Sequence, residues 1–278
     1  MRREESRCGQ VLQRMRREAL NESEFMEIIL IIITALLPVA VLLYYINFKD
    51  KASPEPKSQL AKGVIYGMIS APLSFCLSIP FGLLGLYTED SGTLLGTICE
   101  AFFSAAIPEE ATKLLMLWLL LRKNRYFDEK MDGIVYAVCV SLGFASVENL
   151  MYLFSSADDF ISVGITRALF SVPGHFCFGI IMGYYYSLAK FYLKSPRKNR
   201  LLVFFAPILA HGIFDSILLA TGISPILGAV LVIVFLVFCF KLWKFASRKI
   251  DEHLLWDKEA GDVIFWPDTQ IQDRDYDA

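Results

Sequence analysis

Long apolar stretches alternate with short charged connections along most of the chain. The first two stretches carry no charged residue, and the later ones carry only a few. A membrane helix needs about 20 residues to cross about 30 Å of hydrocarbon, whereas a barrel strand needs only about 10. The pattern therefore predicts an all-α polytopic membrane helix bundle with about seven transmembrane helices. These are predicted at Ile28–Phe48, Gly63–Thr88, Thr93–Leu121, Met131–Phe154, Phe160–Ala189, Leu201–Ala220 and Ile223–Phe240.

Composition supports this class. The chain is 55% hydrophobic, whereas soluble domains are about 45–50% apolar. Five of its six cysteines lie inside apolar segments, and no two have C-x-x-C spacing. We therefore interpret them as small core residues, which argues against a disulfide framework or a zinc knuckle.

The connections between the segments alternate in their content of lysine and arginine. Four of them carry four or five basic residues each, at 49–62, 122–130, 190–200 and 241–249. The others carry none, at 88–92, 155–159 and 221–224. Because basic loops stay in the cytoplasm, we predict a multi-pass cell-membrane protein with a cytoplasmic C-terminus. Seven crossings then place the N-terminus outside the cytoplasm.

The two ends of the chain differ from this membrane domain, which is predicted over 26–245. Residues 1–25 are polar with six arginines, which conflicts with an outside N-terminus. Either an eighth crossing exists or translation begins at Met26 and the extension is not native; the agreement of every later loop favours Met26. The tail, 246–278, has nine acidic and four basic residues, and we predict it to be mostly flexible with one short helix.

The third predicted helix contains the motif Pro108-Glu109-Glu110-x-x-Lys113. A charge at the centre of a membrane helix costs about 2.5–3.5 kcal/mol, so such residues usually face a protein interior or a wet cavity. Neighbouring helix positions differ by about 100°, so the two carboxylates are expected to point in different directions, with Lys113 in reach of either. Pro108 is expected to loosen the helix before the pair. One glutamate could act as a general base beside the Lys113 ammonium. Alternatively, the Glu–Lys pair only stabilises the packing of helices.

The next two helices add further polar residues. Phe144 and Glu148 share a helix face, and Asn149 offers amide donors beside Glu148. No cation lies three or four positions from Glu148, so its partner must come from another helix. Arg167 and His175 follow in the fifth helix, about 12 Å apart. A structural role is the alternative: Glu148 and Asn149 would form a polar contact between helices, and His175 would be a hydrogen-bonded core residue.

The sixth helix carries His211 and Asp215 at i, i+4 spacing on one face. A carboxylate in this position fixes the tautomer of a catalytic or metal-binding histidine. The same His–Asp pair also occurs with a structural role only. Measured from the cytoplasmic helix ends, Glu110, Glu148, His175 and His211 lie about 15–26 Å deep. Inserted unpaired, six of the formal charges would cost on the order of 15–20 kcal/mol: Glu109, Glu110, Lys113, Glu148, Arg167 and Asp215. We therefore expect these groups to meet in an active site in the bundle core.

Several motifs in chain order resemble the PrsW family of intramembrane proteases. They are Pro108-Glu109-Glu110-x-x-Lys113, Asp132-Gly133-Ile134-Val135-Tyr136, Gly143-Phe144-Ala145-x-x-Glu148-Asn149, Pro173-Gly174-His175 and His211-x-x-x-Asp215. The wider superfamily includes type II CAAX prenyl proteases and bacteriocin-processing enzymes. The resemblance covers about 27–245, including the loop with lysine, glutamate and proline after the first helix.

The resemblance implies a peptidase whose essential glutamates are Glu109 and Glu110. Glu148, His175 and His211 would complete the catalytic site. The supporting residues would be Lys113, Phe144, Asn149, Arg167 and Asp215. The implied chemistry is a glutamate-activated water, with Glu148 helping to hold it and a histidine donating to the oxyanion. Which glutamate is the base stays open.

The resemblance also implies the partners. The substrate would be a membrane-anchored protein, by analogy an anti-sigma factor cut at site 1. The lipid bilayer is the other expected partner, and nucleic acid is not one. The substrate helix must unwind locally, because a helical peptide bond is shielded by its own turn.

Three other readings remain open. The first is a zinc protease, because His175, His211 and a glutamate would suit zinc. However, no H-E-x-x-H motif occurs, and each of these ligands lies on a different helix. We therefore predict no cofactor and keep the zinc protease as the alternative. A proton-coupled transporter also uses Asp, Glu and His chains, although no internal repeat is evident. An inactive membrane scaffold would not need intact motifs.

Overall fold

The computed structural model describes the backbone of 2–89, 91–192 and 195–264, with side chains for 25–89, 91–192, 195 and 197–259. Of the predicted N-terminal extension, 1–25, only Phe25 has a described side chain, and 265–278 of the predicted tail lie outside the described residues. The described chain is all-α. Its helices are α1 Arg2–Lys49, α2 Lys57–Leu83, α3 Leu94–Glu100, α4 Ile107–Leu121, α5 Lys130–Ser155, α6 Phe160–Thr166, α7 Val172–Phe191, α8 Pro196–Ala220 and α9 Pro225–Ile264.

The predicted all-α membrane bundle is confirmed. Among the described residues, six helical stretches are long and apolar enough to cross a membrane. The third predicted segment is not one of them, although it is helical from Leu94 to Leu121. Its glutamates and lysine lower its apolar character. With this polar stretch, the described chain has seven helical stretches at the predicted positions.

Helix α5 lies at the centre of the bundle. Every residue from Met131 to Ser146 is buried, as expected for a helix that is apolar on all sides. Helix α7 packs along it most extensively, with α2 and α1 beside it and α8 against α7. The large residues on the outer faces of α1, α2 and α9 are apolar and exposed. These faces suit contact with lipid, and α5 holds the core together.

Two glycines allow α2 and α5 to pack through their backbones. A Cβ on Gly67 would collide with the carbonyl oxygen of Val140, and a Cβ on Gly143 would collide with that of Val64. Small residues at such positions let membrane helices approach closely. This close packing fixes the height of α5, and therefore of its polar residues, relative to α2.

Two prolines coincide with widened helical turns. Pro108 and Pro173 lie at the starts of α4 and α7, directly after π-helical segments at Ala101–Ala106 and Arg167–Ser171. Proline lacks an N–H and its ring clashes with the carbonyl four residues earlier, so the helix widens before it. The predicted loosening before the glutamate pair is confirmed, and the sequence did not predict the second one. Such widened turns are frequent at functional sites.

Helix α9 continues well past the predicted boundary at 245 and ends at Ile264. Ala246 and Ile250 are buried against the bundle. The Asp257 carboxylate accepts hydrogen bonds from the backbone N–H groups of the first two residues of α5, at 3.0 and 2.7 Å. The first part of the tail, predicted to be mostly flexible, is therefore a packed helix that caps α5.

Candidate active site

The ammonium group of Lys113 lies at the centre of a polar cluster in the bundle core. Its Nζ donates hydrogen bonds to Glu110 Oε1 at 2.8 Å and Glu109 Oε2 at 3.2 Å, and it lies 3.1 Å from Nδ1 of His175. It also lies 3.9 Å from the centre of the Phe144 ring, a cation–π contact. Lys113 is 1% exposed. Because an unpaired buried charge is very costly, these contacts hold Lys113 as the fixed positive charge of the cluster.

Both glutamates of the pair reach this cation. Their directions on the helix differ by about 100°, which led us to expect them to point apart. The glutamate side chain has several rotatable bonds, so the two carboxylates bend towards the same ammonium. Glu110 ends on the buried side of the cluster, and Glu109 ends on its more accessible side.

A chain of polar contacts leads from His175 to α1. Its Nε2 lies 2.7 Å from Glu148 Oε2, and the same oxygen forms an ion pair with Arg167 at 2.8 Å. Arg167 Nε donates to Asn149 Oδ1 at 2.6 Å, and Asn149 Nδ2 donates to the Ala35 carbonyl at 3.0 Å. The prediction that Glu148 finds its partner on another helix is confirmed. This series of polar contacts connects α1, α5, α7 and the π-helical segment Arg167–Ser171 to the cluster.

His211 connects α8 to the glutamate pair. Its Nδ1 lies 3.0 Å from Glu110 Oε1, and its Nε2 lies 3.1 Å from Asp215 Oδ2 and 4.0 Å from Glu109 Oε2. The i, i+4 pair with Asp215 is therefore present as predicted. All five predicted catalytic residues and all five supporting residues meet in one contiguous network.

The contacts assign a protonation state to each imidazole. Lys113 can only donate, so His175 Nδ1 accepts and its Nε2–H donates to Glu148. His175 is therefore neutral. Carboxylate oxygens face both nitrogens of His211, so both nitrogens carry hydrogen and the ring is a cation. His211 thus presents an N–H group on each side, and His175 connects Lys113 to Glu148.

Sequence reasoning missed Ser141 and Phe178. The Ser141 hydroxyl donates to the backbone carbonyl of His175 at 2.6 Å. The Phe178 ring stacks on His211 with centroids 4.6 Å apart and meets His175 edge-on at 5.9 Å. These contacts fix the orientation of both imidazoles. The one available signal was the i, i+3 spacing of His175 and Phe178 on a helix.

Three carboxylates form the accessible side of the cluster. The side chains of Glu109, Glu148 and Asp215 are 12%, 16% and 22% exposed, whereas those of Glu110, Lys113 and the two histidines are 5% exposed or less. The second oxygen of Glu110, Oε2, is buried and has no hydrogen-bond partner among the described residues. An unsatisfied buried acceptor is costly. This oxygen therefore marks the place where a donor such as water would bind.

The cluster contains the donor types of a zinc site. Glu109, Glu110 and His175 offer ligand atoms within 4.8 Å of one another, and carboxylate and imidazole suit zinc. However, Lys113 Nζ contacts the same three side chains at 2.8 to 3.2 Å. The ammonium thus lies where an ion bound to all three would lie. The residues as arranged do not fit a metal ion.

The motif residues Asp132 and Tyr136 do not join the cluster around Lys113. The Tyr136 hydroxyl donates to the Glu55 carboxylate, and Asp132 caps α5 by accepting from two backbone N–H groups at 3.0 and 2.6 Å. Burial raises the pKa of the Glu55 carboxyl. Glu55, Asp128 and Asp132 offer carboxylate oxygens within 4.8 Å of one another. These residues hold the loop after α1 against the start of α5.

Comparisons with known proteins agree with the motifs. Residues 55–242 match a family model described as "PrsW family intramembrane metalloprotease". A protein named "Protease PrsW" from Clostridioides difficile (strain 630) is 34% identical over 233 residues, which cover 81% of this chain and 92% of the relative. Its namesakes from Oceanobacillus iheyensis and Bacillus subtilis (strain 168) are 36% and 33% identical, over 74% and 79% of this chain and 91% and 93% of their own lengths. No solved structure matches the chain.

Proposed function

The chain belongs to the PrsW family of intramembrane proteases, and on this premise we propose that it hydrolyses a substrate peptide bond with a water molecule activated by Glu110. It is a multi-pass membrane peptidase, and a membrane-embedded substrate within the bilayer is the natural target. The observation that carries the mechanism is the buried, unpartnered Oε2 of Glu110. It lies on a carboxylate whose other oxygen contacts both Lys113 and His211.

Glu110 suits the role of general base better than its neighbour. Its Oε1 is held by Lys113 and His211, so its Oε2 is left to accept a hydrogen bond from water. A base must lie within about 2.6–3.2 Å of the proton that it takes, and a fixed carboxylate meets that need. Glu109 is more exposed, and we propose that it shares the charge of Lys113 and faces the substrate.

The proposed reaction proceeds in two steps. The water oxygen attacks the carbonyl carbon while Glu110 takes one water proton, and the carbonyl becomes an oxyanion stabilised by the positive charge of the His211 ring. The carbon–nitrogen bond then breaks, and the leaving nitrogen receives the proton held by Glu110. The products are a carboxyl group and an amine, so atoms and charge balance.

The remaining residues would position these groups. Lys113 would keep Glu110 ionised, and Asp215 would keep His211 protonated and oriented. Glu148 is held by His175 and Arg167. We propose that its main role is to orient His175, with its exposed side near the bound water.

A metal-dependent reaction is the second candidate. The description of the matching family model favours it, and so do the donor types of Glu109, Glu110 and His175. The position of Lys113 favours the metal-free reaction, because its ammonium supplies the positive charge at that point. Metal analysis of the purified protein, with activity measured after chelation, distinguishes the two candidates.

The identity of the substrate is part of the proposal. The motif resemblance supports site-1 cleavage of an anti-sigma factor or a similar regulator. The distribution of lysine and arginine supports a cytoplasmic C-terminus and an outside N-terminus. In this orientation the cluster lies between the middle and the outer half of the bilayer, where a single-span substrate would be cut after local unwinding.

The proposed function is tested by comparing membrane proteins from cells that express the wild type or Glu110→Gln. We expect a single-span protein to be shortened only with the wild type, with fragment ends inside or next to its membrane segment. Equal fragments with both proteins would contradict the proposal. Leu115→Ala, which changes an outward-facing residue of the same helix, is the control and should cleave normally.

A further inference from the structure

A long groove lies between α4, α7 and α8, away from the side chains of the catalytic cluster. Its volume is about 760 Å³, within the range of ligand pockets. Its walls are mostly apolar and include Leu114, Trp118, Tyr186 and Val203. It extends along α4 from Arg122 up to Ala111, which corresponds to about 16 Å at 1.5 Å per residue.

Positive charges gather at one end of this groove. Arg122 directly follows α4, Lys190 lies in the last turn of α7, and Arg200 lies near the start of α8. No aspartate or glutamate is among the described residues that line the groove. Arg122 and Arg200 form no ion pair with a described residue, whereas Lys190 donates to the Phe127 carbonyl. The two arginines are therefore available to an anion.

We propose that this groove binds one anionic phospholipid of the cytoplasmic leaflet. Its phosphate would contact Arg122 and Arg200, and one acyl chain would follow the apolar wall towards Ala111. Basic pockets between membrane helices on the cytoplasmic side suit anionic headgroups. The loops at this end are the basic ones, which places the headgroup at the cytoplasmic surface.

The charges favour a lipid over the helix of a protein substrate. Arg122 and Arg200 lie at one end of an otherwise mostly apolar groove without acidic lining residues. This pattern matches a molecule with an anionic head and an apolar chain.

Native mass spectrometry of the full chain, purified in a neutral detergent, tests this inference. Phosphatidylglycerol and phosphatidylcholine are added in equal amounts, and we expect one phosphatidylglycerol to be retained in preference. The double variant Arg122→Ala/Arg200→Ala should retain it about tenfold less or weaker still, since each cation near a membrane surface contributes about 1 kcal/mol. The matched control Lys123→Ala/Arg197→Ala removes two nearby charges that do not line the groove and should retain the lipid.

A second variant separates a lipid site from a site for free anions. Ala189→Trp keeps the arginines and fills the groove, so it should also lose the lipid. Equal retention by the arginine double variant or by Ala189→Trp would overturn the inference. Complete displacement of the lipid by excess inorganic phosphate alone, or retention of a co-purified peptide in place of the lipid, would overturn it as well.

Discussion

The side chains of Lys113 and His175 meet at 3.1 Å, although they are 62 positions apart and belong to different helices. This contact joins the glutamate pair of α4 to the network that runs through Glu148 and Arg167. It also places a positive charge among three side chains whose donor atoms lie close enough together to hold a metal ion. The lysine is therefore central to both the stability and the chemistry of the site.

Replacing Lys113 by methionine should strongly destabilise the protein. The variant removes the ammonium that pairs with the buried Glu110 and the partly exposed Glu109, and breaking a buried ion pair in this way costs about 3–5 kcal/mol. Thermal unfolding in detergent measures the effect. Lys123→Met, at an exposed position one residue beyond α4 and its cap, is the matched control and should unfold like the wild type. Similar unfolding of both variants would show that Lys113 is not the main partner of the pair.

Replacing His211 by glutamine should reduce kcat by about 100-fold or more, since losing one group that stabilises the oxyanion costs about 10² to 10³. The His211 ring lies between Glu110 and Asp215. Because its proposed role is in the reaction step and not in substrate binding, KM should change little. Asp215→Asn should cause a smaller loss in the same direction. His253→Gln, which changes a buried histidine of α9, should keep full activity. An unchanged kcat for His211→Gln would remove His211 from the mechanism.

Replacing Asp257 by alanine should lower stability modestly and leave the active site intact. The carboxylate accepts from two backbone N–H groups at the start of α5, and the loss of such a cap costs about 0.5–2 kcal/mol. Unfolding in detergent measures this cost. The control is Asp251→Ala, which removes an exposed ion pair with Lys49 and should have little effect. No difference between the two variants would mean that the docked tail does not support α5.

Stability should fall as pH rises from about 4 to about 7, in part because of Asp50. Burial, with help from Glu55, Glu129 and Asp257, raises the pKa of this carboxyl to about 7. The unfolded chain then loses its proton first, so the folded state binds more protons across this interval, and stability decreases with pH. Above about pH 7 the effect is complete. Melting temperatures across the interval should fall less for Asp50→Asn than for the wild type; parallel curves would argue against this assignment.

The sequence predicted the members of the site better than their arrangement. Charged residues such as Glu148 and Arg167 were recognisable because they are costly in apolar helices, and helical rise placed them at similar depths. The meeting of both glutamates at Lys113 could not be predicted, because it depends on side-chain rotamers and on the neighbouring helix. Ser141 was missed because a hydroxyl in an apolar helix usually bonds to its own backbone.

For the fold too, the sequence predicted the helices better than the way in which they pack. Segment length and hydrophobicity predicted the helices, and Pro108 predicted a loosened turn. The tail was predicted to be mostly flexible because of its charge. Ala246 and Ile250 nevertheless pack against the bundle, and Asp257 caps α5. That contact joins residues more than a hundred positions apart, which local patterns do not reveal.

The central claim is that Glu110 activates water without a metal ion. The most direct measurement is single-turnover cleavage of the identified single-span substrate by purified, liposome-reconstituted wild type and Glu110→Gln, with a zinc chelator present throughout. We expect the wild type to cleave at its full rate and Glu110→Gln to be slower by about 10² to 10⁴, with unchanged folding and substrate binding, and Glu109→Gln to lose less. Wild-type cleavage by Glu110→Gln, or loss of wild-type activity that zinc restores, would contradict the claim.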